Sequence, residues 1–341
     1  MLAIFLKKVL HSLPTIVGIS ILSFLLVRLV PGDPVLLLLG ERGGNPEVYR
    51  EMKKNLGLDL PWPVQYVKYM KGAVQGDLGT SIISKRSVTE EFLERFPATL
   101  ELGVCALFWA TILGIPLGII AALKRNSFLD YLLMGGSLVG YSMPIFWWGP
   151  MLILLFSVGL GWTPVAGRMS VMFDVDAWSG FMLIDTLQSS VIEEEGFAPF
   201  WNALKHLILP SVAMGTIPLA TFARMSRSSM LEVLGEEFIK TAKARGIKTS
   251  RIILVHGLRN ALIPLITVAG LMFGSIITGA ILTETIFSWP GIGKWMVASI
   301  NSRDYPVIQG GILVIAAMII FINAFVEILY AWANPKMRSQ V

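Results

Sequence analysis

Residues 98–123 read ATLELGVCALFWATILGIPLGIIAAL, a run whose one charged side chain is Glu101. Crossing roughly 30 Å of hydrocarbon takes about 20 predominantly apolar residues in a helix. The run is therefore long enough for a spanning helix. In lipid every backbone N–H and C=O must be satisfied internally, which a helix achieves by itself. This stretch thus predicts a helical membrane protein.

Five further segments read the same way: Val9–Val30, Tyr131–Leu160, Leu204–Phe222, Ala261–Leu282 and Val307–Trp332. Pro210 and Pro218 interrupt the fourth, but prolines are tolerated where neighbouring helices re-satisfy the freed backbone groups. Composition agrees, with 54% hydrophobic and 15% charged residues among 341 and a mean hydropathy of +0.68. Soluble domains carry about 25% charged residues. The expected fold class is an all-α membrane protein with six transmembrane helices. Lys7 and Lys8 precede the first segment as in a secretory signal, yet its apolar run is too long and no small-residue cleavage pattern follows. It is read as an uncleaved first helix. The single cysteine, Cys105, lies within an apolar run and reads as a buried, inert thiol.

Charge orients the bundle. With six spans, both termini and the loops after spans 2 and 4 share one side. That side carries 14 cations, among them Lys124, Arg125, Arg224, Arg227, Lys336 and Arg338, against four acids: Asp130, Glu232, Glu236 and Glu237. The segment Arg168–Lys205 on the other side has two cations and six acids, including Glu193-Glu194-Glu195. An excess of Lys and Arg marks cytoplasmic loops, so both termini are expected in the cytoplasm. The same alternation accounts for a pI near 9.3 and sets nucleic-acid binding aside. The chain divides into a first helix (1–30), an external segment (31–97), a five-helix core (98–332) and a tail (333–341). The core includes an external segment at 161–203 and a cytoplasmic one at 223–260. Trp62, Tyr66 and Tyr69 would let the first external segment pack as a small subdomain or lie at the interface. Segment 161–203, acidic and aromatic, fits either a docking surface or a solvated spacer.

The cytoplasmic stretch from Arg224 to Pro264 mixes apolar positions (Phe238, Ile239, Ala242, Ile252, Ile253) with cations, which predicts short amphipathic helices. Lys243 and Arg245 followed by Gly246 read as a helix C-terminus with a left-handed cap. Thr249 or Ser250 is expected to cap the next helix. Two short helices around a glycine turn make an elbow that a partner can push. A basic interfacial helix holding lipid headgroups is the other reading of the same residues.

Ala242-Lys-Ala-Arg-Gly246, followed by His256-Gly-Leu-Arg-Asn-Ala-Leu-Ile-Pro264, resembles the cytoplasmic coupling motif of binding-protein-dependent ABC importer permeases. The version is that of the peptide and nickel group, and within it the first membrane subunit of the dipeptide permeases. Pro31-Gly32-Asp33-Pro34, Gly76-Asp77-Leu78-Gly79, Tyr141-Ser142-Met143-Pro144 with Trp147-Trp148, Ala280–Gly291 and Arg303-Asp304-Tyr305-Pro306 resemble the same group. One departure is that the family motif opens Glu-Ala-Ala, where this chain has Lys240-Thr241-Ala242. Any contact assigned to that glutamate does not carry over.

The resemblance implies a type I ABC importer fold with cytoplasmic coupling helices, in the bacterial inner membrane. It also implies a homologous second permease subunit, two cytoplasmic ATPases and a periplasmic peptide-binding protein. ATP and Mg would sit on the ATPases, with no cofactor on this chain and no catalysis by it. Coupling would fall to Glu237, Thr241, Ala242, Ala244, Arg245, Gly246, Arg259 and Asn260. Tyr141, Ser142, Met143, Pro144, Gly270 and Gly274 are candidates for the translocation path or its hinges. The substrate expected is a dipeptide or short peptide; oligopeptide, glutathione, nickel and haem permeases share the scaffold.

Other features give way to simpler readings. Ser288-Trp-Pro-Gly-Ile-Gly293-Lys294-Trp295 lacks the first glycine and the final Ser or Thr of a phosphate-binding loop. His11, His206 and His256 are not at metal-ligand spacing, so no metal site is expected. Gly114–Gly118, Gly136–Gly140 and Gly270–Gly274 permit close helix approach. Glu101, Glu327 and Arg28 lie near span ends and are expected to snorkel to the interface. Trp147, Trp148, Trp289, Trp295 and Trp332 are expected there as an aromatic belt. No charged ladder crosses the bilayer, against a self-sufficient channel or ion-coupled carrier, and no catalytic constellation supports a membrane enzyme.

Overall fold

The computed structural model describes residues 2–29, 34–39, 45–55 and 57–333. Pro31, Gly32, Asp33 and most of the expected C-terminal tail lie outside them, as do the side chains of Glu327 and Trp332. The regular structure of the described residues is helical, and their one extended pairing is an isolated bridge, Thr80 to Ser87. The chain forms two compact units, residues 97–293 with 322 onward and residues 2–96 with 294–321.

The first unit is built on three helices: α5 (Val88–Leu123), α10 (Ala198–Gly235) and α13 (Leu258–Ile286). Three clusters run along them, Leu102, Leu207 and Ile276 at one level, Ala110, Phe222 and Leu265 at the next, and Ala122, Met230 and Ala261 last. Helix association in lipid has no hydrophobic drive and depends on close packing by small residues. Gly114 supplies it here: a Cβ there would stand 2.8 Å from the Leu219 carbonyl of α10. Gly140 likewise faces Thr216, whereas Gly136 of the second predicted pair has open space around it. Helix α10 runs unbroken through Pro210 and Pro218, well beyond the predicted Leu204–Phe222. It is the central helix, with 67% of its most apolar window buried against 28% for α5.

The predicted third span is not one helix. It divides into α6 (Phe128–Ser142) and α7 (Ile145–Leu152), the latter continuing as a π-wound turn over Ile153–Gly159, and the two halves bend by 108°. The cause is local. The ring of Pro144 disfavours helical backbone at Met143, which is extended at φ −79°, ψ 119°. Four helices are long and apolar enough to span singly, and six spans result if each bent pair counts as one. The second such pair, Thr249–Leu262 with Pro264–Gly274, bends by 46°.

Segment 161–203 is tied down rather than a free spacer. The Arg168 guanidinium donates to Glu101 Oε2 at 2.6 Å and to the Gly180 carbonyl at 2.7 Å, and Leu183 N donates to Glu101 Oε1 at 2.8 Å. Glu101 is 6% exposed, so it does not snorkel; an arginine from the loop neutralises it in place. The segment adds two short helices, α8 (Met182–Asp185) and α9 (Ser189–Glu195).

The second unit gathers α1 (Leu2–Leu29), α2 (Pro34–Leu39), α3 (Pro46–Asn55), α4 (Trp62–Val74), the start of α5, and the parts of α14 (Ile292–Asn301) and α15 (Tyr305–Ala333) within 294–321. Of the three aromatics expected to organise 31–97, two pack inward. Tyr66 meets the Phe24 ring edge-on and bonds Ser20, and Tyr69 donates to the Gln309 carbonyl. Trp62 is exposed. Arg28 also departs from the snorkelling expectation, since Gln65 Oε1 accepts from it at 2.7 Å while its guanidinium lies over the Phe24 ring. Asp304 pins the 81–83 turn, accepting from Ser81 Oγ at 2.5 Å and from Ile82 N at 3.1 Å.

Candidate functional site

Between α10 and α13 the chain folds into the predicted elbow. Helix α11 (Glu237–Ala244) forms because Ile239 and Ala242, three apart, share one face among cations and acids. Its end is a Schellman motif: Gly246 N donates to Lys243 O and Ile247 N to Ala242 O, with Gly246 in the left-handed region at φ +72°. The chain then turns into α12 (Thr249–Arg251), which passes into a π-wound stretch over Ile252–Gly257 and on into α13. The N-cap of α12 is Lys248 with no side-chain hydrogen bond, so neither Thr249 nor Ser250 caps it.

The elbow has its own small core. Ile239, Ala242 and Ile252 are buried together, with Leu234 of α10 and Ile247 against them. Ala242 therefore faces inward and holds the elbow's shape, while Glu237, Thr241, Ala244, Arg245, Gly246, Arg259 and Asn260 lie on the exposed side. Phe238 is 44% exposed beside them, an apolar side chain displayed on a charged face. The one ion pair of α11, Glu237 with Lys240 at 2.7 Å, is itself exposed and so adds little to stability.

Above the elbow, α10 is bolted to its neighbours. The Arg227 guanidinium makes a two-point pair with Asp130, 2.7 Å at each oxygen, and Asp130 Oδ2 also accepts from Asn126 N. Ser226 Oγ donates to the Ile115 carbonyl of α5 at 3.0 Å, and the Arg224 guanidinium lies 4.5 Å over the Tyr141 ring of α6. Displacing α10 thus carries the α5–α6 turn with it. Counted by charge alone, Asp130 and Arg227 were two members of a biased loop. The signal that could have paired them was Asp130 standing three residues after the helix-capping Ser127.

The candidate path residues do not form one site. Tyr141, Ser142 and Pro144 lie exposed at the α6–α7 break, with Met143 half-buried, while Gly270 and Gly274 are half-buried in α13. A Cβ at Gly274 would meet Asn323 Oδ1, the end of a side chain, at 2.7 Å.

At the far end of α13 lies a buried polar cluster that sequence reasoning missed. Glu284 is fully buried, and its Oε1 accepts from Thr99 Oγ at 2.5 Å; Thr99 in turn accepts from Ile292 N at 2.9 Å. Gly291 leaves room for that carboxylate, since any Cβ there would overlap both Glu284 and Thr99. Trp289 is 1% exposed and donates its indole N–H to the Ala98 carbonyl. Trp295, in the other unit, donates to buried Glu91 at 2.6 Å. Both were expected in an interfacial belt, but an indole whose N–H finds an acceptor can be buried whole. Trp147 is exposed, and Trp148 is half-buried against Thr216.

Comparison with known proteins places this architecture. Residues 114–339 match the model of the family "Binding-protein-dependent transport system inner membrane component". Residues 1–103 match the N-terminal region model of such components. The di/tripeptide transport system permease protein DppB of Pseudomonas aeruginosa is 53% identical over 328 residues, 96% of each chain. The dipeptide transport system permease protein DppB of Escherichia coli K12 is 52% identical over the full length of both. The glutathione transport system permease protein GsiC of Pectobacterium atrosepticum is 40% identical over 99% of each. Among solved structures, an inward-facing MetNI methionine ABC transporter superposes with a TM-score of 0.51 at 16% identity, covering 70% of this chain and 93% of that one. At that identity the likeness speaks for the fold alone.

Proposed function

Because the chain belongs to the family of binding-protein-dependent transport system inner membrane components, we propose that it is a membrane subunit of an ATP-driven importer of dipeptides and short peptides, driven through the Glu237–Gly246 elbow. The substrate reading follows the two dipeptide-permease relatives that share half their residues with this chain over nearly its whole length. The observation that carries the mechanism is the elbow itself, a small body with its own core, an exposed charged face and a join to α10 through the single extended residue Glu236.

In this reading ATP and Mg reside on two separate ATPase subunits in the cytoplasm, and this chain performs no catalysis. A second, homologous permease completes the pathway, and a periplasmic peptide-binding protein delivers and selects the substrate. Both termini and the elbow face the cytoplasm of the bacterial inner membrane. When the ATPases close, the exposed side of α11 is carried with them. Ile239, Ala242 and Ile252 pass that displacement to α10, and the Arg227–Asp130 pair passes it to the α5–α6 turn. The 108° break at Met143–Pro144 is the hinge nearest the path, with Gly270 and Gly274 of α13 as the second candidate.

The test is reconstitution in proteoliposomes. Chain, partner permease and ATPases together are expected to accumulate labelled dipeptide only with ATP and loaded binding protein. Uptake by this chain alone without ATP would instead make it a self-sufficient carrier. The glutathione permease relative makes glutathione the competitor to include.

A further inference from the structure

The 2–96 and 294–321 unit encloses a cavity of about 590 Å³ that the importer mechanism does not use. Its walls come from α4, the Asp77–Ile82 turn and the first turn of α15, with Val27 and Arg28 at the end of α1 completing them. That volume is in the range of small-molecule sites.

Three of its side chains are cationic, Arg28, Lys53 and Lys68, against one carboxylate, Asp77. Asp77 is already engaged, accepting from Gly79 N at 2.9 Å. Among the described residues none of the three cations has a carboxylate within ion-pair distance. Tyr305 adds a second, independent sign. It lines the cavity at 6% exposure, and its hydroxyl has no hydrogen-bond partner. A buried hydroxyl left unmade costs about 1–3 kcal/mol, a cost that a ligand oxygen drawing the ring toward the cavity would relieve. The remaining wall is apolar, with Val27, Val35 and Trp62. At the same end of α1 the side chains of Leu22, Leu26 and Leu29 are exposed, as a lipid-facing helix requires.

We propose that this cavity binds the phosphodiester headgroup of an anionic phospholipid from the leaflet at the C-terminal end of α1. The net positive lining selects a headgroup with net negative charge over a zwitterionic one. The apolar wall, which Val27 of α1 joins one residue from the exposed Leu26, gives the acyl chains an exit and disfavours a small free anion. Lys53 and Lys68 meet the phosphate, and the Tyr305 hydroxyl donates to one of its oxygens.

Full-length chain in nanodiscs, doped with photoactivatable phosphatidylglycerol and mapped by peptide mass spectrometry, tests the site. Labelling is expected in residues 45–82 and 305–309. The double variant Lys53→Glu/Lys68→Glu is expected to lower it about tenfold with an unchanged melting temperature. Tyr305→Phe, which preserves shape, is expected to lower it about threefold. Equal labelling of wild type and the double variant would overturn the proposal, as would a phosphatidylcholine probe labelling as strongly as phosphatidylglycerol. Displacement of the probe by free dipeptide, but not by unlabelled phosphatidylglycerol, would move the ligand to soluble carboxylates and also overturn it. None of these readouts involves ATP or transport, so the result stands apart from the importer reading.

Discussion

At its Ile286 end α13 meets a buried polar cluster, in which Glu284, Thr99 and the backbone of Ile292 are joined by two hydrogen bonds beside the buried Trp289. At its Leu258 end the same helix runs into an elbow whose core is three side chains deep and whose outer side is exposed and charged. One end is fixed in place by desolvated polar groups with no room to rearrange. The other is shaped locally and left open to a partner. A lever needs both, since displacement applied at the open end does work only if the far end stays put.

Four substitutions break or sharpen this contrast, in order of expected effect on stability. Gly291→Ala forces a methyl into the space held by Glu284 and Thr99. Overpacking a site that cannot relax costs about 3 kcal/mol, so the melting temperature of the purified chain should fall more than for any elbow variant. Arg227→Ala leaves Asp130, whose side chain is 3% exposed, without its partner. A loss of about 2 kcal/mol is expected, below the figure for a fully buried pair because Arg227 is partly solvated. The double variant Asp130→Asn/Arg227→Gln should recover part of it, since the cost lies mainly in the stranded charge. Gly246→Ala adds a side chain in open space, so its cost is the left-handed backbone alone, about 1 kcal/mol. Denaturation of the four variants side by side ranks them, and an elbow variant as damaging as Gly291→Ala would erase the distinction.

Much of the fold was legible in the sequence for a simple reason. Apolar length and charge bias are one-dimensional signals, and a bilayer reads them one-dimensionally. The helix stop at Gly246 was equally local, as cations in the last turn and a left-handed glycine suffice to mark it. What escaped depended on partners distant in sequence. Glu101 lies near a span end and reads as snorkelling until Arg168, 67 residues on, arrives to neutralise it. Trp289 reads as interfacial until the Ala98 carbonyl takes its N–H across 191 residues. Prolines misled in both directions. Pro210 and Pro218 sit inside the unbroken run of α10, where surrounding helices support the backbone, while Pro144 ends α6 by constraining Met143. Sequence alone names the breaker; packing decides whether it breaks. At the elbow the exposed positions were foreseeable as a group, but that Ala242 would turn inward required the positions of Ile239 and Ile252.

The central claim is that the elbow transmits an external push into α10. Gly246→Pro tests it most directly, because proline can neither adopt φ near +72° nor donate the N–H that closes the helix onto Lys243. The variant would be purified with its partner permease and ATPases in nanodiscs, and ATP hydrolysis measured with and without loaded binding protein. The account predicts that the subunits still co-purify and that basal hydrolysis persists while its stimulation is lost. Stimulation equal to wild type in an intact assembly would contradict it.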